Sequence, residues 1–273
     1  PKALWNLFGS EFWERFMYYG MRAMLAVHVA AAFFGGDQAS ASKTYGGFTA
    51  LVYMTGILGG YVADRILGYQ RSIMLGGALM AVGSFMLMAP DLTTFLMGLA
   101  VLVIGNGLFK PNISTMVGKL YKPGDARRDS GFTIFYMGIN AGALVAPVLT
   151  GWLAQSLFGT DAAPEYKYVF FASGIGMLIS LIWFYLGRSQ LQGIGAAPAN
   201  AQGPQKVIYV AIGSLLAIPV VYFLLAVGAK VLNWVLLAMF VALAVMLLVE
   251  GIRNGAVARD KVIAMLIIFA FNI

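Results

Sequence analysis

Long apolar runs, cut at intervals by charged residues, set the pattern of this chain. Residues 44–63, 72–89, 92–109, 130–160, 168–187, 207–229 and 231–249 contain no Asp, Glu, Lys or Arg. A helix rises 1.5 Å per residue and needs about 20 apolar residues to cross the hydrocarbon core of a bilayer. Seven membrane-spanning helices are therefore predicted. An eighth, over residues 4–34, is interrupted by Glu11, Glu14, Arg15 and Arg22. A ninth apolar stretch covers 262–273, too short to cross. The segment RSQLQGIGAAPANAQGPQK between Arg188 and Lys206 lacks periodicity and is rich in Gly, Ala, Pro and Gln, as a linker is. The predicted organisation is an all-α polytopic membrane protein. A six-helix transmembrane bundle occupies 1–188, a cytoplasmic linker 189–206, and an accessory helical hairpin with a tight turn near Lys230 occupies 207–250. A cytoplasmic connection and the truncated start of a second bundle occupy 251–273. The chain opens on Pro1 rather than Met, has no cleavable signal pattern and stops abruptly, which reads as a fragment.

Composition narrows the class. Of 273 residues, 60% are hydrophobic and 11% charged, whereas soluble domains carry about 25% charged residues. A soluble enzyme, a nucleic-acid-binding module and a disordered tail are excluded on that ground, despite a net charge of +7. No cysteine is present, so disulfides, thiolate metal sites and a cysteine nucleophile are absent as well. The cations are sorted by position. Lys2, Arg65, Arg71, Lys119, Lys122, Arg127, Arg128, Arg188, Lys206, Arg253, Arg259 and Lys261 fall on one set of connections, and only Lys43, Lys167 and Lys230 on the other. The richer set faces the cytoplasm by the positive-inside rule, which places the amino terminus inside and the protein in the cell inner membrane.

Arg15, Arg22 and Lys110 remain within spans, together with Glu11 and Glu14. Intramembrane ions cost about 2.5–3.5 kcal/mol each on insertion scales, so they face a bundle interior or a wet cavity. Counting helical rise from the flanking charges puts Glu14 and Arg15 about 18–20 Å deep, Lys110 about 13 Å, and Tyr53 and Asn140 about 16 Å. Four helices thus bring polar groups to the level at which transporters bind substrate. On the first helix Glu11, Arg15, Tyr18, Tyr19 and Arg22 share one broad face, and Glu14 joins it through Tyr18. A proton arriving at one of the carboxylates would break its pair and release the Arg. Static pairing that only fixes helix packing is the alternative. Lys110 precedes Pro111 and follows Gly105, Asn106 and Gly107, which predicts a loosened helix there, while snorkelling to the cytoplasmic face is the other reading of the lysine. Gly138 and Gly142 flank Asn140 at a spacing that permits close helix approach, with Asn140 as a possible interhelical hydrogen bond. His28 lies near the outer end of the first helix and reads as interfacial. No HExxH, GxSxG or phosphate-binding GxxxxGK[ST] pattern occurs, and no acidic metal cluster lies within a span. Neither an enzyme nor a metal site is expected.

Three motifs carry a resemblance. Residues 59–68, GGYVADRILG, look like the loop signature between the second and third helices of the major facilitator superfamily, with Gly60, Asp64, Arg65 and Gly68 as its structural positions. Residues 11–20, EFWERFMYYG, resemble the ExxERFxYYG motif of the proton-dependent oligopeptide transporters. Residues 135–142, FYMGINAG, resemble the FYxxINxG signature of the same family. The resemblance implies the amino-terminal six-helix bundle of that fold, the hairpin that bacterial members carry and the start of the seventh transmembrane helix, with a second six-helix bundle missing. It implies proton-coupled import of di- and tripeptides by alternating access, with the proton as coupling ion and no other cofactor. Glu11, Glu14, Arg15 and Lys110 match the proton-coupling positions, and Arg15 and Lys110 those that attract the peptide carboxylate. Tyr19, Tyr53 and Asn140 match positions that contact the peptide. The second helix has no histidine, unlike animal members, which favours carboxylate-based coupling. A carrier of another anion such as nitrate, and a non-transporting membrane scaffold, are the competing readings. The implied partners are peptides, protons and the lipid bilayer, with no nucleic acid.

Overall fold

A computed structural model describes residues 1–198, 203–227 and 229–271. Among the described residues there are nine α-helices and no strand: α1 (Lys2–Phe33), α2 (Gln38–Val62), α3 (Tyr69–Met86), α4 (Leu92–Lys119), α5 (Arg127–Trp152), α6 (Lys167–Gly187), α7 (Gln205–Ala226), α8 (Ala229–Arg253) and α9 (Ala256–Phe271). Wider π-type turns extend α2 over Ala63–Leu67 and α5 over Leu153–Leu157. Seven of the described helices are long and apolar enough to cross a membrane: α1, α2, α4, α5, α6, α7 and α8. The chain is a multi-pass membrane protein. α3, predicted to cross as well, does not reach that hydropathy, because its first turn is Tyr69, Gln70 and Arg71 and glycines dilute the remainder.

Local chemistry sets the helix limits. Asp37 accepts the backbone N–H of Ala39 at 2.9 Å to start α2, and Asp91 that of Thr94 at 2.7 Å to start α4. Gly68, at φ 77°, stops the α2 extension and turns the chain into α3. Within the spans, Ser10, Ser72, Ser84, Thr150 and Ser173 return their hydroxyls to carbonyls one turn earlier, so buried hydroxyls need no water.

Residues Pro1–Ala226 form one compact unit. α4 is its axis: 78% of its most apolar stretch is buried, against 22% for α5. It packs on α3, α2 and α7, while α1 packs on α5 and α6, and α3 on α6. α7 therefore belongs with the bundle, in contact with α4 and α2. The expected loosening of α4 at Pro111 is not seen, since the helix runs unbroken to Lys119. Pro111 cannot donate to Gly107, but Asn112 Nδ2 reaches the carbonyls of Leu108 at 2.7 Å and Gly59 at 3.2 Å and ties this turn to α2. His28 sits among Phe33, Phe95, Tyr166 and Phe170 at ring separations of 5.1–5.8 Å.

The first part of the segment expected to be a linker, residues 188–195, is held against the bundle. A short 3₁₀ turn at Arg188–Leu191 buries Leu191, and Gln70 then binds the carbonyls of Ile194 at 2.7 Å and Gly195 at 2.9 Å. The second unit covers Val227–Ile273, where α8 and α9 pack on each other around Gly255 at φ 97°. α9 begins at Ala256, earlier than the apolar stretch from Val262, and so takes Arg259, Asp260 and Lys261 into the helix. Residue 228, next to the turn expected near Lys230, lies outside the described residues.

Candidate functional site

The site is built on α1 and α4. One turn of α1 supplies Glu11, Glu14 and Arg15, of which both carboxylates are completely buried and Arg15 is 7% exposed. From α4 come Asn106 and Lys110, one helical turn apart and so on one face. Lys110 Nζ binds Glu11 Oε1, and Arg15 Nε lies 3.4 Å from the same oxygen. Arg15 grips Glu14 in a fork, Nε to Oε2 and Nη2 to Oε1 at 2.5 Å. Asn106 Nδ2 adds a third donor to Glu14, at 3.3 Å from Oε1. Two carboxylates face two cations, so formal charge cancels inside the cluster. Buried ions require such pairing, because an uncompensated charge in a medium of low dielectric costs several kcal/mol.

Beside the cluster lies a cavity of about 590 Å³. α1 contributes Arg15, Tyr18 and Tyr19 to its wall, α2 Val52, Tyr53, Gly56 and Ile57, α4 Asn106, Lys110, Pro111 and Ser114, and α5 Tyr136 and Ile139. No Asp or Glu is on that wall. The cations face the space and the carboxylates stand behind them, so an entering ligand meets positive charge first. Phenol rings surround it, with the Arg15 guanidinium 4.8 Å from the Tyr18 ring and 5.7 Å from that of Tyr19. The arrangement suits a ligand with an anionic group and an amphipathic body.

A model of the POT family matches residues 70–272. The chain belongs to the POT family. Among its relatives is a di-/tripeptide transporter of Lactococcus lactis subsp. lactis (strain IL1403), 42% identical over 208 residues, covering 73% of this chain and 40% of the relative. Dipeptide and tripeptide permease B of Xenorhabdus bovienii (strain SS-2004) is 35% identical over 266 residues, 96% of this chain and 52% of the relative. A crystal structure of a POT family transporter in complex with a thioalcohol-conjugated peptide superposes with a TM-score of 0.81 at 33% identity, over 99% of this chain and 57% of that one. The chain thus spans about half the length of the curated relatives it matches, and its architecture is the first bundle of the POT fold with its additional helices.

Within this POT chain the structure brings Glu11, Glu14, Arg15 and Lys110 into one cluster. Tyr19 and Tyr53 reach the cavity wall, Tyr53 with 73% of its surface exposed. Asn140 does not reach that wall. It shares the Tyr136 face of α5 one turn further along, exposed, while Gly138 and Gly142 hold the adjacent face against Phe8, Phe12 and Arg15 of α1. Arg22, grouped with the cluster by its helical face, turns instead to the Tyr45 hydroxyl of α2. In the loop motif Asp64 and Arg65 are exposed, with Asp64 accepting the Tyr69 hydroxyl, and Gly68 is pressed against Ala196, leaving no room for a side chain. Gly60 meets nothing, and the neighbouring Gly59 makes the close contact, backbone to backbone with Gly107.

Sequence reasoning missed Asn106, Ser114, Tyr136 and Ile139. Asn106 and Ser114 are each four residues from Lys110, so the face of the lysine marks both. Tyr136 lies inside the motif that drew attention to Asn140. Ile139 lies in the same motif, but an isoleucine in an apolar span reads as packing.

Proposed function

We propose that this chain is the amino-terminal part of a proton-coupled symporter that imports di- and tripeptides by alternating access. One observation carries the reading: Arg15 and Lys110 line a cavity whose wall holds no acid, with Glu11 and Glu14 buried directly behind them. The names of the relatives, a di-/tripeptide transporter and a dipeptide and tripeptide permease, give the ligand class.

The scheme follows from competition for cations. Lys110 is bound to Glu11. A proton on Glu11 neutralises the carboxylate, the attraction lapses, and Lys110 turns to the carboxylate of a peptide. Arg15 supplies the second positive contact. Because one ammonium cannot serve both anions at full strength, proton and peptide binding become linked, and linkage is reciprocal. Tyr19 and Tyr53 on the cavity wall take the peptide body, and exposed Asn140 is assigned to it by the resemblance alone. Recognition through charge and backbone rather than side-chain identity gives broad tolerance. The cation distribution along the chain supports a cytoplasmic amino terminus in an inner membrane.

The full-length parent in proteoliposomes provides the test. Lys110→Ala abolishes dipeptide uptake driven by an inward proton gradient, and unlabelled dipeptide drives counterflow in the parent. A Lys110→Ala protein that concentrates peptide as the parent does sinks the coupling scheme. A parent that exchanges nitrate but no peptide sinks the ligand class.

A further inference from the structure

Glu11 and Glu14 are neighbours on α1 and equally buried, yet they are held differently. Glu11 uses Oε1 for Lys110 and Arg15 and leaves Oε2 without a partner among the described residues. Glu14 has both oxygens occupied, one by Arg15 alone and the other by Arg15 and Asn106. The two sources of donors for Glu14 differ in length and in how they are held. Arg15 is a long side chain on the cavity wall, with several rotatable bonds. Asn106 is short, 4% exposed, and carried by α4 on a turn where flanking Gly105 and Gly107 sit against the backbones of α3 and α2.

An anion in the cavity engages Arg15 fully only by drawing the guanidinium off Glu14. That leaves a completely buried carboxylate, and a buried charge stripped of its donors is expensive. One donor does not leave with Arg15. We propose that Asn106 is a positioning residue for carboxylate ligands, retaining Glu14 by its Nδ2–H while Arg15 turns to the ligand. The inference rests on the peptide-carboxylate reading above. Asn106 acts through Glu14 and Arg15 rather than by touching the reacting groups. A side chain without a donor at this position would keep Arg15 locked on Glu14 and weaken ligand binding.

Asn106 also lines the cavity, so a direct ligand contact or simple packing would weaken binding too, and the test separates these. Dipeptide affinity is measured on the detergent-purified full-length parent and on Asn106→Leu, Asn106→Gln, Glu14→Gln and the Asn106→Leu/Glu14→Gln double variant. A hydrogen bond to a charged group is worth enough to change affinity about 10-fold. Asn106→Leu is expected to raise the dipeptide Kd by about 10-fold, and Asn106→Gln, which keeps the amide, to recover most of it. On the Glu14→Gln background no anion needs retaining, and Asn106→Leu changes the Kd by less than about 2-fold. Thermal melting of the ligand-free proteins must show the same coupling between positions 106 and 14, and Asn106→Ala replaces the leucine variant if leucine does not pack. An equal loss of affinity on both backgrounds, or no loss on either, overturns the proposal while peptide binding by the parent stands. A parent that binds no dipeptide overturns the peptide reading and this inference together.

Discussion

Helix α4 meets α3 on one side and α1 on another, and the two seams are made of different materials. Toward α3 the contact is backbone on backbone. A Cβ on Gly105 would lie 2.6 Å from the Gly76 carbonyl, and one on Gly83 would lie 2.8 Å from the Gly98 carbonyl, with completely buried Met80 between. Toward α1 the helices stand further apart, bridged by the side chains of Asn106 and Lys110 reaching Glu14 and Glu11. The glycine seam has one way to pack and no reason to open, because small residues gain their energy from close contact in lipid. The ionic seam opens onto the cavity and is held by side chains rather than by backbone contact. Close backbone packing and ionic bridging are thus assigned to two faces of the same helix.

The largest expected effect breaks the glycine face. In Gly105→Leu the new side chain runs into the Gly76 carbonyl and Met80, neither of which can retreat far. Overpacking costs about 3 kcal/mol here, at the upper end of its usual range. Monodisperse protein is lost on size exclusion, and a Gly105→Leu protein that melts as the parent does would show that the seam is not tight. Next in size is the ionic face. Glu11→Gln removes the charge that holds Lys110, and accumulation of dipeptide against a gradient disappears in proteoliposomes. Uptake equal to the parent's would transfer the coupling role to Glu14.

A smaller effect tests the α2 contact with α4. The Thr55 hydroxyl lies 3.0 Å from both the Val103 carbonyl of α4 and the Leu51 carbonyl of its own helix and shares its one proton between them, and Thr55→Val lowers stability by about 0.6 kcal/mol, the mean for such bonds within membranes. A loss several times larger would mean that α2 is held by this bond rather than by the Gly59–Gly107 contact. The smallest effect lies outside both seams. Hydrogen bonds from Arg127 hold the Asp125 carboxyl down at about 2, below its ordinary 3.8. Because the folded value is the lower one, the stabilisation is present above pH 3.8 and is lost as pH falls toward 2. The melting difference between the parent and Asp125→Asn is accordingly small at neutral pH and vanishes in that acid window. A difference that persists below pH 2 contradicts the assignment.

The legible part of the fold was the part written in long windows. Charge-free runs located the helices, and the intramembrane Glu11, Glu14, Arg15 and Lys110 declared themselves because buried ions need partners. Less legible was anything that depends on azimuth between helices. Arg22 and Arg15 share a face of α1, but Tyr45 lies opposite only one of them. Asn140 and Tyr136 share a face of α5, yet only Tyr136 lines the cavity. Within the Arg188–Lys206 segment the carbonyls of Ile194 and Gly195 are bound by Gln70 of α3, a distant partner that local composition does not report.

By itself the sequence determined that the chain is helical, spans a membrane several times and carries ions of both signs within its spans, since each follows from composition along the chain and the cost of charge in hydrocarbon. Only the tertiary structure decided which ion pairs with which. Glu11 and Glu14 are both within reach of Arg15 along α1. α4 breaks that degeneracy, setting Lys110 against Glu11 and Asn106 against Glu14, so that the cations line the cavity and the carboxylates stand behind them.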